Sequence, residues 1–221
     1  MSRRAATALA GFMIASAALA DPPPASSTYQ QIVSQLKSGF TDVDYGKLRQ
    51  AYAESDNYNP YIENGKQTVL AEAMKSHDCD RVLSAANSLL AGNFTDIEAH
   101  IYAADCARRQ NDASTARFHL EVARGLLSSI AGSGDGKRPE TAFVVVAVGE
   151  EYAWLFSQGY RIREQSLLKT GVHEVDAVDV FDQVGAERTV YFNIDRPAAW
   201  LAKRLPTEPD DATKPFQHSS Q

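Results

Sequence analysis

The sequence is poor in residues that commonly mark a reaction. It holds two cysteines, Cys79 and Cys106, and neither belongs to a Cys-x-x-Cys pair, so a dithiol redox centre has no support. Its histidines, His77, His100, His119, His173 and His218, show no His-x-x-x-His spacing, and no metal site is expected. There is no G-x-S-x-G elbow for an activated serine, and no cysteine has an adjacent base. Positive charge is in deficit. Lys and Arg number 22 against 28 Asp and Glu, a formal charge of −6. That balance argues against nucleic acid and anionic lipid as partners. Beyond residue 20 no apolar run is long enough to cross a bilayer.

What is present begins with "MSRRAATALAGFMIASAALA". Arg3 and Arg4, an apolar stretch and the small-x-small triplet Ala18-Leu19-Ala20 predict a signal peptide over residues 1–20. Cleavage after Ala20 leaves a chain of charge about −8 with no membrane insertion expected. Ser2-Arg3-Arg4 hints at twin-arginine export, although the residues that normally follow that pair are missing. An exported protein is expected, periplasmic or alternatively secreted. In an oxidising compartment the two cysteines are most simply a disulfide, two buried free thiols being the alternative.

Composition divides the remainder. Residues 21–43 open with prolines and serines and read as a linker, and residues 201–221 read as a disordered tail. Residues 44–131 are helical in pattern, starting with a helix over about Tyr45–Ser55 that caps the front of the stack. Val82, Ala86 and Leu89 recur as Ala116, Leu120 and Ala123, and Val69, Leu70 and Ala73 recur as Ala103, Ala104 and Ala107, each 34 residues on. A period of 34 residues with small residues in the seams resembles the tetratricopeptide repeat, although its large aromatic positions and closing proline are absent. An ordinary antiparallel bundle accounts for the same seams. With a turn near Gly92–Thr95, antiparallel helices bring Cys79 and Cys106 to one level.

The stretch "SGDGKRPETAFVVVAVGEEY" raises the possibility of a phosphate loop. The Gly132–Gly136 spacing is one residue short of a Walker loop, Arg138-Pro139 follows Lys137, and the helix precedes the loop instead of following it. The glycines read as a left-handed helix stop and a turn joining two modules. Residues 132–200 then form a small α+β unit. The apolar run 142–148 is expected as a central strand, 150–157 as a short helix, and 175–181 with 189–194 as a hairpin. Glu150 and Glu151, at the helix start, are accounted for by the helix dipole.

"SGDGKRPETAFVVVAVGEEYAWL", "EQSLL" and "YFNID" together resemble a family of exported bacterial proteins, domain-of-unknown-function family 4919, from about Asp44 to Pro197. The resemblance implies repeat-like helices followed by a compact C-terminal unit, and it carries no activity. Cys79 stands where tetratricopeptide-like relatives tend to have an aromatic.

The expected fold is therefore α+β, with tetratricopeptide-like antiparallel helices followed by a small, mainly antiparallel sheet and one short helix. The expected function is non-catalytic binding of a protein or peptide, with no cofactor. Its first candidate surface is Glu98, Tyr102, Asp105 and Arg109 on one helix. Arg161, Arg163, Gln165, Tyr191 and Asn193 are expected on one polar sheet face, which a merely solvated face would also explain. The competing expectation is an enzyme in the cleft between helices and sheet, using groups such as Asp135, Lys137, Glu140, Gln165 and Tyr191.

Overall fold

A computed structural model describes residues 25–61, 64–76 and 78–205. The signal peptide read at residues 1–20 lies outside the described residues, as does all of the tail expected at 201–221 beyond residue 205; the first two residues of that tail, Leu201 and Ala202, instead end a helix (Asp195–Ala202).

The helical part runs α1 (Ala25–Lys37), α2 (Tyr45–Ala53), α3 (Asn64–Ser76), α4 (Cys79–Gly92), α5 (Ile97–Arg109) and α6 (Ala113–Ala131). Four of these open in the same way. Asp44, Asp78, Asp96 and Asp112 each accept a hydrogen bond from a first-turn N–H of α2, α4, α5 and α6 respectively. An N-cap of this kind contributes about 1 kcal/mol. Helix α1 corrects the expected linker at 21–43. Ile32 and Leu36, one turn apart, are buried in the same core as Leu48. The proline-rich composition ends before them, and an i, i+4 apolar pair makes a helix worth burying.

Helices α4 and α6 start 34 residues apart, at Cys79 and Ala113. Val82, Ala86, Ala116 and Ala123 are buried at the expected positions, as are Leu70, Ala73, Ala103, Ala104 and Ala107. Val69 and Leu120 are exposed. Cys79 and Cys106 form the disulfide, with Cα atoms 5.1 Å apart, pinning the first residue of α4 to the last turn of α5. Helix α2 crosses α6 at Gly125, where any β-carbon would occupy the Tyr45 ring.

The C-terminal part comprises β1 (Phe143–Val144), α7 (Val148–Ser157), β2 (Arg161–Thr170), β3 (His173–Phe181), β4 (Glu187–Asn193) and α8 (Asp195–Ala202). The sheet order is β1-β4-β3-β2, antiparallel except for the parallel pairing of β1 with β4. The fold is α+β, helices first and then a small mixed sheet, flanked by two short helices where one was expected.

The run 142–148 is not a central strand. Only Phe143 and Val144 pair, at the edge of the sheet. The rest is buried where helices meet sheet, and side chains satisfy much of its backbone. Arg49 donates to Val144 O (2.7 Å), Tyr58 OH to Val146 O (2.6 Å), and Val146 N–H to Glu150 Oε2 (2.8 Å). Unbroken apolarity reported burial; it did not report a ladder.

The glycine loop is a join, built differently from the expectation. Gly132 ends α6 in right-handed conformation (φ −76°), while the left-handed residue is Gly136 (φ 63°), whose β-carbon would strike the Phe143 ring. The amides of Asp135 and Gly136 both donate to Thr141 O, at 3.0 and 2.9 Å. These donors are consumed inside the loop, so it offers no phosphate cradle.

Candidate ligand-binding trough between α5 and α7

Helices α5 and α7 meet where the helical part joins the sheet, and two cavities line their seam. The first, about 380 Å³, is walled by Tyr52, Asn59, Tyr61, Asp96, Glu98 and Glu150, among others. The second, about 540 Å³, is walled by Ile101, Tyr102, Tyr152, Leu155, Phe156 and Ile162, among others. Glu98 and Gly149 belong to both. The first cavity uses the opening residues of both helices and the second uses later ones, so together they form a trough along the seam. It follows about 10 Å of helix, the span of roughly three extended residues. At its far end Tyr160 and Ile162 lead onto β2, the sheet's outer strand, which is exposed along nearly its whole length.

Three carboxylates border the first cavity, each in a different electrical situation. Glu150 is 3 % exposed and gripped by Arg49, whose Nε and Nη2 donate to its two oxygens at 2.8 and 2.7 Å. Asp96 caps α5 by accepting from Ala99 N–H (2.9 Å). Burial, with smaller contributions from the charges of Glu98 and Glu150, pushes its carboxyl up to about 6. Glu98 accepts from Tyr102 OH (2.7 Å). Burial, that hydrogen bond and the Glu98 charge in turn push the Tyr102 phenol up to about 12, so it stays protonated as a donor. Among the described residues, no basic side chain lines either cavity or pairs with Asp96 or Glu98.

Beside the trough lies an acidic pair, buried Glu151 and half-buried Asp176. Glu151, 1 % exposed, has its carboxyl pushed up to about 9, by burial first and then by the charge of and hydrogen bonding with Asp176. Gln165 Nε2 donates to Asp176 (2.7 Å) and reaches Glu151 at 3.5 Å, while Tyr152 OH donates to Gln165 (2.8 Å). Glu151 Oε1 faces no donor, as suits a carboxyl that carries its own proton. Helix-dipole stabilisation, the sequence reading of these two glutamates, misses their role. Both are buried, one in an ion pair and one protonated.

The predicted site residues are thus separated. Glu98 and Tyr102 line the trough, but Asp105 is taken by Arg108 (2.6 Å) and Arg109 (2.9 Å) beyond it. The predicted polar sheet face is split. A bulge between Ile162 and Glu164 shifts the register, so Gln165 stands opposite Val178 and Val190 on one face. Tyr191 and Asn193 stand opposite Ala177 and Val175 on the other. Arg161 pairs in register with Phe181 on that second face, and Arg163 bonds Asp179 (2.7 Å). Asp135 accepts from Lys137 N–H (3.0 Å) and Thr141 Oγ1 within its own loop. Asp135, Lys137, Glu140 and Tyr191 do not line the trough.

On the other side of the stack, a cavity of about 640 Å³ is bordered by Lys37, Ser114 and His119, among others. His100 is buried behind His119, their Nδ1 atoms 2.8 Å apart, and His100 Nε2 lies 3.1 Å from Phe94 O. A carbonyl can only accept, so His100 carries its proton on Nε2 and accepts at Nδ1 from His119. Burial lowers the pKa of both rings, that of His100 to about 3. Both are neutral at pH 7.

A helical stack joins a small four-stranded sheet, and the trough lies at that join. The chain belongs to the family described as Domain of unknown function (DUF4919), which matches residues 25–202. Among curated proteins and solved structures no match is found.

Proposed function

We propose that this is an exported, non-catalytic module that binds an extended segment of another protein or a peptide in the α5–α7 trough, in the cell envelope. The observation that carries the proposal is the trough itself. It is elongated, walled by Tyr102, Tyr152, Phe156 and Ile162, and open at the free strand β2. Aromatic walls supply contact area at low entropic cost, and an unpaired edge can take an added strand. The signal-peptide reading and the disulfide support the location. An enzyme in the same cleft has Asp96 in its favour as a carboxyl titrating near neutrality. Against it, no Ser, Cys or His lines either cavity among the described residues, and Glu150 is occupied by Arg49.

The test is photo-crosslinking from position 162 in the intact chain in the cell that makes it, repeated with Tyr102→Ala plus Tyr152→Ala. A discrete cross-linked partner that is lost in the double variant is the expected result. Cross-links unchanged by the double variant would move the working surface elsewhere.

A further inference from the structure

We infer that the trough selects a segment carrying a basic side chain, Lys or Arg, next to an apolar one. This rests on the peptide-binding reading above and names its specificity. The argument is one of charge that is left over. Of the three carboxylates bordering the first cavity, Glu150 is neutralised by Arg49, and Asp96 is committed to the N-terminus of α5. Two helix N-termini also face this region, each worth about half a positive charge, against which stand Asp96 and Glu98 at the start of α5 and Glu150 at the start of α7. Glu98 has neither a paired cation among the described residues nor a capping role, and its one side-chain hydrogen-bond donor is a neutral phenol. It is also the side chain common to both cavities.

Beyond Glu98 the second cavity carries no other charge. Its larger walls are Ile101, Tyr102, Tyr152, Leu155, Phe156 and Ile162, with Tyr160 at the far end. Several of those walls are apolar surface left in solvent, Phe156 at 76 % and Ile162 at 43 % exposure. A ligand matching this pattern places an ammonium or guanidinium at Glu98 and an aliphatic or aromatic side chain beyond it. The rings of Tyr102 and Tyr152 favour a cation passing over them as well as apolar contact. An acidic segment would set its charge against Glu98 and Asp96, with no base in the trough to receive it. Half-buried Asp176, beside the protonated Glu151, lines neither cavity and adds to the negative potential.

The experiment is selection of a random heptapeptide display library on the disulfide-intact chain, run in parallel on Glu98→Gln and on Ile162→Arg. Both substitutions are at partly exposed positions, and each variant's melting curve verifies its fold. Enriched peptides are expected to carry Lys or Arg beside an apolar residue. Their synthetic versions should bind Glu98→Gln about tenfold more weakly, while analogues with citrulline in place of Arg should not distinguish it from the parent. Peptides that depend on Ile162 but show no basic preference would overturn the cation inference and leave the trough reading intact. Peptides indifferent to both substitutions, or no enriched peptides at all, would overturn both.

Discussion

The two parts of this molecule bury polar groups by opposite means. In the helical stack the buried pair is His100–His119, two neutral rings sharing one hydrogen bond and ending on Phe94 O. At the join with the sheet the buried groups are the ion pair Arg49–Glu150 and the protonated carboxyl of Glu151, which faces half-buried Asp176. A neutral pair asks little of its surroundings beyond geometry. A buried ion pair is costly to break, because the remaining partner stays desolvated. The comparison teaches that the histidine pair is satisfied within the stack, whereas the join is held by groups that need one another across the chain.

The strongest way to break the comparison is Arg49→Met. It strands Glu150, and a loss of about 4 kcal/mol in urea unfolding is expected, most of it recovered by adding Glu150→Gln. Next is Cys79→Ser with Cys106→Ser, which releases a loop of 27 residues and costs about 3.5 kcal/mol.

The pH dependence sharpens the contrast. Glu151 has a folded pKa raised from 4.5 to about 9. Its contribution is therefore fully present below pH 4.5 and lost as pH rises towards 9. Glu151→Gln should be more stable than the parent by roughly 3 kcal/mol at pH 8 and about equal at pH 4, read from urea midpoints. The histidines act in the other direction. Their folded pKa values lie below 6.5, so their contribution is present above 6.5 and lost as pH falls towards the folded value, about 3 for His100. His119→Asn, which keeps a donor towards His100 Nδ1, should reduce the acid-side loss, read as a smaller fall in urea midpoint between pH 7 and pH 5. The smallest effect is expected from Arg109→Ala. It removes an exposed ion pair to Asp105 and should change stability by less than about 0.5 kcal/mol and trough binding not at all.

Legibility in the sequence followed the range of the interactions. The 34-residue spacing, the cysteine level and the 175–194 hairpin are local or nearly so, and periodicity exposed them. Helix α1 was legible in Ile32 and Leu36 but was hidden behind the prolines that precede it. The failures at 142–148 and at Glu150–Glu151 have one cause. Nothing near Glu150 in the chain indicates that Arg49, 101 residues earlier, grips it, or that Arg49 and Tyr58 supply the donors a strand partner would have supplied. Of the trough, the α5 wall was readable through Glu98 and Tyr102. The α7 wall was not, because only the tertiary packing of α7 against α5 turns Tyr152 and Phe156 into its sides.

The Arg49–Glu150 bridge also sets an order of events in the life of the chain. Synthesis proceeds from the N-terminus, so α2 emerges with a guanidinium whose partner, Glu150, is still 101 residues away. Until Glu150 follows, the front half has no favourable place to bury Arg49, and it should remain loosely packed even though its helices are already spelled out. A fragment ending at the glycine join would inherit that handicap permanently. What composition divides into two modules is thus, for folding, one unit completed from its far end.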